Sequence, residues 1–303
     1  FFQAQDGIRD CLLSRGLGDV YKRQVCDVVE LKQYNRLFVK KGLELIHKRY
    51  HRGIAKLIDN SKISSSPTSQ DLGFVVGPQI NAASRIDDSS LASKLLISND
   101  IEQIESISRK LFLLNEKRKL IESQILEDAN NQAINQSNSN FILVFGNNWH
   151  QGVLGIVASK IKDIYYKPTI VISFTNNIGI GSARSIDNVD LGKIILNAKS
   201  EKLLISGGGH SMAAGLKINF SNLENFKIYL EKSLSLFSKS LFDRIDYFDS
   251  VITANDLNLD LINGIEQLQP FGKGNPEPIF ILSLIHISEP TRQEAISYAV
   301  FCL

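Results

Sequence analysis

Cysteine is scarce: Cys11, Cys26 and Cys302 are the only three in 303 residues. An odd, scattered set with no ligand spacing supports neither a disulfide framework nor a zinc site, and fits reduced thiols. No run approaches the roughly 18 consecutive apolar residues that a membrane-spanning helix needs. The first residues also lack the basic, apolar, small-residue order of a secretory signal. The expectation is a cytoplasmic protein with no membrane contact. An excess of either charge is missing too, since 34 Lys and Arg against 32 Asp and Glu leave a formal net charge of +2. That balance neither argues for nor excludes a nucleic-acid partner, because such binding depends on a local basic face. What remains, 43% apolar and 22% charged residues, is the composition of a globular chain long enough for two domains.

The first two dozen residues keep no sustained period. VCDVVEL, residues 25–31, then reads as a buried strand carrying Asp27. A carboxylate there needs a partner or a metal, although a strand-end or cap role is the plainer reading. Residues 35–58 read as helical, with a run of Lys, Arg and His that is a solvated face by default and a phosphate-facing stripe on the sharper reading. Residues 61–71 are a Ser-rich loop. In GPQINAASR, Gly77 and Pro78 suggest a turn. Small residues there precede Arg85, whose planar fork suits phosphate. Residues 99–136 keep a helical stripe for many turns; at about 1.5 Å per residue this spans on the order of 50 Å, so it reads as a link between two lobes.

The second lobe opens with FILVFG, residues 141–146, a buried strand. NNWHQGVLGIVASK leads from it into an apolar helix, with Trp149 and His150 at its mouth. A strand, turn and helix N-terminus form an anion site. Another strand, residues 167–174, is followed by GIGSARS, a glycine turn with Arg184 and Ser185, and by a helix capped near Asp190. LLISGGGHSMAAGLKI then brings Gly207, Gly208 and Gly209 up to His210 before an alternating strand. Taken alone, GGGH is more simply a flexible turn with a surface histidine. The accumulation of anion-suited turns in one lobe favours converging backbone N–H groups that hold an anion, with His210 adding a donor. A helix over 223–241, a strand from 246 to 252 and the Pro- and Gly-dense QLQPFGKGNPEPIF complete the chain as a turn-rich β module.

With GPQINAASRIDD, WHQGVLGIVASK, GSARS, GGGHSMAAG and PFGKGNPEP in this order, the chain resembles the RecJ family of single-stranded-DNA-specific exonucleases, in the DHH phosphoesterase superfamily. The resemblance covers about residues 25–281. It implies an α/β fold with a C-terminal remnant of a DHH domain over 25–98 and a connecting helix over 99–138. A complete DHHA1 domain over 139–240 and the start of an OB-like β module over 241–283 follow. It implies 5′-to-3′ hydrolysis of single-stranded DNA with two Mn²⁺ or Mg²⁺ ions. Asp27 matches a metal ligand of the family's last DHH-domain motif, although Arg23 and Gln24 replace the Gly and Thr expected before it. Asn81 and Arg85 match a segment near the substrate strand. Arg184, Ser185 and His210 match residues that hold the nucleic-acid backbone, and the three glycines match the loop supporting them. His150, at the mouth of the WHQG helix, joins them as a nucleic-acid-binding candidate.

The family's D-x-D motif, its next aspartate and the DHH triplet have no counterpart in this sequence. Two metals about 4 Å apart would activate water and stabilise the leaving oxygen, so a chain with one of their ligands is expected to lack activity. Residues 1–24 and 284–303 are similar to translated sequencing-adapter sequence and are expected to be non-native tails. Two other readings stand beside the exonuclease: a non-catalytic single-stranded nucleic-acid-binding module, and another DHH-superfamily phosphodiesterase. PFGKGNPEP speaks against the latter.

Overall fold

Contacts divide the chain into one unit formed by residues 1–115 with 246–303 and another formed by residues 116–245. The computed structural model describes residues 29–63, 66–136, 138–244, 247–283 and 298–301. Asp27, the tail expected over 1–24 and most of that over 284–303 lie outside the described residues.

The first unit is helical over most of its length. The helix expected over 35–58 is two, α1 (Gln33–His47) and α2 (Arg52–Asn60). Arg49 takes a left-handed conformation with φ 56°, which no helix tolerates in its interior. The His51 imidazole restarts the chain by accepting the Ile54 N–H. Gly77 and Pro78 are not a turn: a π-helical segment, Leu72–Val76, runs directly into α3 (Gly77–Ile86), with Pro78 in its opening turn. Proline's missing N–H is least costly there, and the Gly77 N–H reaches back to the Leu72 carbonyl. After α4 (Ser90–Ile97) comes the predicted long helix, α5 (Ile101–Ile134), of 34 residues. Its N-terminal third contributes Ile104, Ile107 and Leu111 to a core with Ile54, Leu57, Leu72 and Leu95.

The second unit is a five-stranded sheet with helices on both faces. Its elements are β1 (Ile142–Asn147), α6 (Gln151–Tyr165), β2 (Thr169–Thr175), β3 (Ile178–Arg184), α7 (Leu191–Ser200), β4 (Ser206–His210), β5 (Ala213–Asn219) and α8 (Leu223–Leu234). The strand order is β1-β2-β3-β5-β4, with only β1 and β2 parallel. One face packs on the later part of α5 and on α6 through Ile142, Val144, Val171, Val153 and Val157. The other packs on α7 and α8 through Ile170, Ile172, Leu216, Ile195 and Phe226.

Two stretches expected to be glycine turns are strands. GIGSAR forms β3, in which Gly179 is pressed on by Phe174 and Gly181 by Leu216. SGGGH forms the edge strand β4. None of Gly207, Gly208 and Gly209 has positive φ, so their conformation is not what requires glycine; the site geometry below explains two of the three by packing.

The opposite edge of the sheet is covered by side chains. From one face of α5, Gln132 donates to the Phe145 carbonyl at 2.8 Å and accepts the Phe145 N–H at 3.1 Å. One turn on, Gln136 does the same for Leu143, at 2.9 Å and 3.0 Å. Two amides thus replace a sixth strand and satisfy backbone groups that an open edge would leave for another chain to pair. The same helix is tied to α6 by Glu122, only 6% exposed, whose two oxygens take Arg118 at 2.6 Å and Lys160 at 2.7 Å.

The chain then re-enters the first unit with β6 (Ser250–Ile252), α9 (Leu259–Gln267), β7 (Phe280–Ser283) and β8 (Tyr298–Phe301). These strands form a three-stranded sheet in the order β6-β7-β8. PFGKGNPEP supplies a tight turn in which Gly274, at φ 78°, allows Gly272 and Asn275 to exchange backbone hydrogen bonds of 2.9 and 3.0 Å. The Asn275 amide also donates to the Leu268 and Pro270 carbonyls. The segment is fixed to the helical part of the unit: the Leu31 N–H donates to the Lys273 carbonyl, the Ser69 hydroxyl to that of Phe271 and Arg36 to that of Leu268.

Candidate nucleic-acid interface

The pairing register aligns residues that the sequence separates. Arg184 of β3 lies opposite Ala213 of β5, which in turn lies opposite His210 of β4. Directly opposed residues on neighbouring strands share a face, so Arg184 and His210 flank Ala213 on one surface. The next row on that face is Ser182, Gly215 and Gly208; the next again is Ile180, Lys217 and Ser206. Residues one step out of phase, Ala183, Ala214 and Leu216, enter the core with α7 and α8. The surface in question is therefore the α6 side of β3, β5 and β4.

The three glycines divide sharply. A Cβ on Gly207 would stand 2.8 Å from Ile195 of α7, and one on Gly209 would stand 2.5 Å from Cα of Ala214. These two are glycine because their neighbours leave no room. A Cβ on Gly208 would meet nothing closer than Leu196 at 3.9 Å, and one on its partner Gly215 nothing closer than the Gly181 carbonyl oxygen at 3.9 Å. Packing does not require glycine at either, and beside a cationic row such an open pair suits close approach of a ligand backbone. The pairing partner Gly215 was not singled out in the sequence; only strand register reveals it.

Arg184 is half-buried. Its guanidinium donates to Ser182 Oγ at 3.2 Å and to the Ala183 carbonyl at 2.9 Å, and it rests against Gly155 of α6, where a Cβ would stand 2.8 Å from Nη2. Gly155 thus serves the arginine, and the helix behind it sets the direction of the fork. His210 is exposed at the strand end, where its carbonyl meets Gly192 in the first turn of α7. Asp190 caps that helix by accepting the Lys193 N–H at 3.0 Å. That hydrogen bond holds its carboxyl below the usual carboxylate range.

Other predicted residues fall elsewhere. Ser185 is 1% exposed, and its hydroxyl donates to the Val189 carbonyl at 2.6 Å, so it braces the loop before α7 instead of facing solvent. His150 caps α6, its Nδ1 accepting the Gly152 N–H at 3.2 Å. It follows β1 at the end of the sheet opposite the Arg184–His210 row. Trp149 covers Gly146 and belongs to the core. Asn81 and Arg85 lie one turn apart on α3, Asn81 exposed and Arg85 half-buried, in the first unit. The basic run on α1 and α2 is largely engaged: Lys41 pairs with Glu44, Arg49 with Asp59 and Lys56 with Glu105, while Arg52 donates to the Asn99 carbonyl. These exposed pairs are those of a solvated face.

Among the described residues, no three His, Cys, Asp or Glu converge as metal ligands. No described helix is long and apolar enough to cross a membrane.

A five-stranded mixed sheet with a GGGH edge strand, followed by a small β module, defines a DHHA1 domain joined to an OB-type region. Residues 138–235 match the DHHA1 domain family and residues 248–295 the RecJ OB domain family, the latter running past the boundary at 283 expected from the sequence. Curated relatives include the single-stranded-DNA-specific exonucleases RecJ of Haemophilus influenzae, 34% identical over 269 residues, and of Bacillus subtilis, 30% over 259 residues. Each alignment covers 84% of this chain, but only 46% and 33% of the relative, so the chain spans about half or less of their length. Crystal structures of RecJ from Thermus thermophilus, one with Mg²⁺ and one with Mn²⁺, superpose with TM-scores of 0.79 and 0.78 at 27% and 26% identity. Both cover 88% of this chain, and 41% and 39% of theirs. Over the residues matched, the chain belongs to the RecJ family.

Proposed function

We propose that the chain holds single-stranded DNA on the β3-β5-β4 face, with Arg184 and His210 as phosphate contacts and the Gly208–Gly215 pair as the floor on which the sugar-phosphate backbone lies. The observation that carries this reading is that open pair: two facing glycines with no protein atom to account for them, next to a row bearing an arginine and a histidine. Neutralised phosphates give affinity that is independent of sequence and falls steeply with salt. Asn81 and Arg85 form a second contact region on the first unit.

Longer family members, on this reading, hydrolyse the strand from its 5′ end with Mn²⁺ or Mg²⁺. The chain as given supplies the grip and not the cleavage, because the carboxylate motifs of the metal centre have no counterpart in it and Asp27 alone is not a site. The match of residues 248–295 to the RecJ OB domain family favours this parentage over another DHH-superfamily phosphodiesterase. The test is fluorescence anisotropy with a labelled single-stranded oligonucleotide at low salt. Arg184→Ala and His210→Ala are expected to weaken binding at least several-fold each while the melting temperature stays close to that of the parent. Unchanged affinity in both would remove this face from the site.

A further inference from the structure

Lys217 stands on the same face as Arg184 and His210, two rows further along. It is opposite Ile180 on β3 and Ser206 on β4, while its sequence neighbours Leu216 and Ile218 are buried in the opposite face. At about 3.4 Å per residue it lies roughly 14 Å along β5 from the Arg184–His210 row. Its side chain is half-buried, and among the described residues no hydrogen bond or ion pair engages it. This sets it apart from the cations of α1 and α2, most of which have a carboxylate or carbonyl partner. Strands β3, β4 and β5 carry no Asp or Glu, so these strands place no carboxylate between the two cationic rows, which are separated by Ser182, Gly215 and Gly208. An ammonium with no carboxylate opposite it on these strands is placed to meet an incoming phosphate.

We propose that Lys217 is a third phosphate-binding residue of this face. It sets the direction in which the strand runs: from the Arg184–His210 row, across the glycine pair, to Lys217. The inference rests on the proposed single-stranded DNA grip and extends it by one contact and a path. Lysine suits the role as a mobile point charge that follows a flexible backbone, where Arg184 is fixed by Ser182 and by α6.

The test measures affinity for a labelled single-stranded oligonucleotide as a function of salt for four proteins: the parent chain, Lys217→Ala, Lys217→Arg and Lys199→Ala. Lys199 is an exposed lysine of α7, which packs on the other face of the sheet, so its removal makes the same change in net charge away from the path. For a single strand, each lost phosphate contact lowers the slope of log affinity against log salt by about 0.7. Lys217→Ala is expected to show that decrement and a several-fold weaker affinity at low salt, Lys217→Arg to restore both and Lys199→Ala to change neither. Equal behaviour of Lys217→Ala and Lys199→Ala, with the parent chain binding, would overturn the assignment of Lys217 alone. Failure of the parent chain to bind at all would overturn the grip and this inference with it. A thermal melt of each variant shows whether an affinity change follows unfolding; a Lys217→Ala loss that tracks a lowered melting temperature counts against the assignment.

Discussion

The contrast between Gly208 and Gly209 separates packing from binding at adjacent positions. In Gly209→Ala the new methyl group would stand 2.5 Å from Cα of Ala214 and closer still to the Ala213 carbonyl oxygen. Both are backbone atoms of the paired strand, so relief requires β4 to move away from β5. Overpacking of this kind costs about 1–3 kcal/mol, and the backbone obstacle places this case toward the upper end. In Gly208→Ala the methyl group has 3.9 Å to its nearest neighbour. The substitution restricts the unfolded chain more than glycine does, so stability is expected to be unchanged or to rise by about 0.4–1 kcal/mol. Binding reverses the order of the two. A methyl group at Gly208 lifts the ligand backbone off the sheet and is expected to lower single-strand affinity about tenfold, which is about 1.4 kcal/mol. The assays are thermal melts followed by circular dichroism and anisotropy titration of each variant. If Gly208→Ala melts as low as Gly209→Ala, the packing argument is wrong; if it binds as tightly as the parent chain, the open pair is not part of the interface.

Removal of the amide clamp is expected to loosen α5. Gln132→Leu strands one backbone N–H and one carbonyl of Phe145, and is expected to cost about 1–2 kcal/mol in urea unfolding of the second unit. A cost indistinguishable from zero would mean that water serves the edge equally well. Asp190 contributes an acid-side dependence. Its folded-state carboxyl titrates lower than in the unfolded chain, so its stabilisation is present above the unfolded value and is lost as pH falls through the folded one. Asp190→Asn, melted between about pH 6 and pH 3, is expected to flatten that part of the curve; an unaltered slope would assign it to other carboxylates. Asn275→Ala removes both side-chain hydrogen bonds to the Leu268 and Pro270 carbonyls. It is expected to release the PFGKGNPEP turn by about 1–2 kcal/mol, read as earlier protease cleavage near residue 273; parent-like resistance would show that the turn holds without it.

Periodicity was sufficient for much of the fold. The helical stripe over 99–136 and the apolar run at 141–146 correspond to α5 and β1 within a few residues. Glycine misled in both directions. GIGSAR and SGGGH read as turns because glycine is depleted in strands, yet they are strands in which pressure from Phe174, Leu216, Ile195 and Ala214 excludes any side chain at several positions. Gly77 and Pro78 read as a turn because the π-helical segment that absorbs the proline leaves no mark in the residue pattern. At the site, Arg184 and His210 were legible as types. Their alignment on one row was not, since register is a long-range property that no local pattern encodes. Ser185 illustrates the reverse: a hydroxyl beside an arginine looks like a ligand in sequence, and in three dimensions it is spent on the Val189 carbonyl.

The most direct test of the account follows anisotropy and release of a 5′ label on one sample of the chain with a single-stranded oligonucleotide and Mn²⁺. Salt-sensitive binding without release of the label is the predicted result. Absence of binding, or release that a chelator abolishes, would contradict it: the first would remove the β3-β5-β4 face as a grip, and the second would require a metal centre built from residues assigned no part in one.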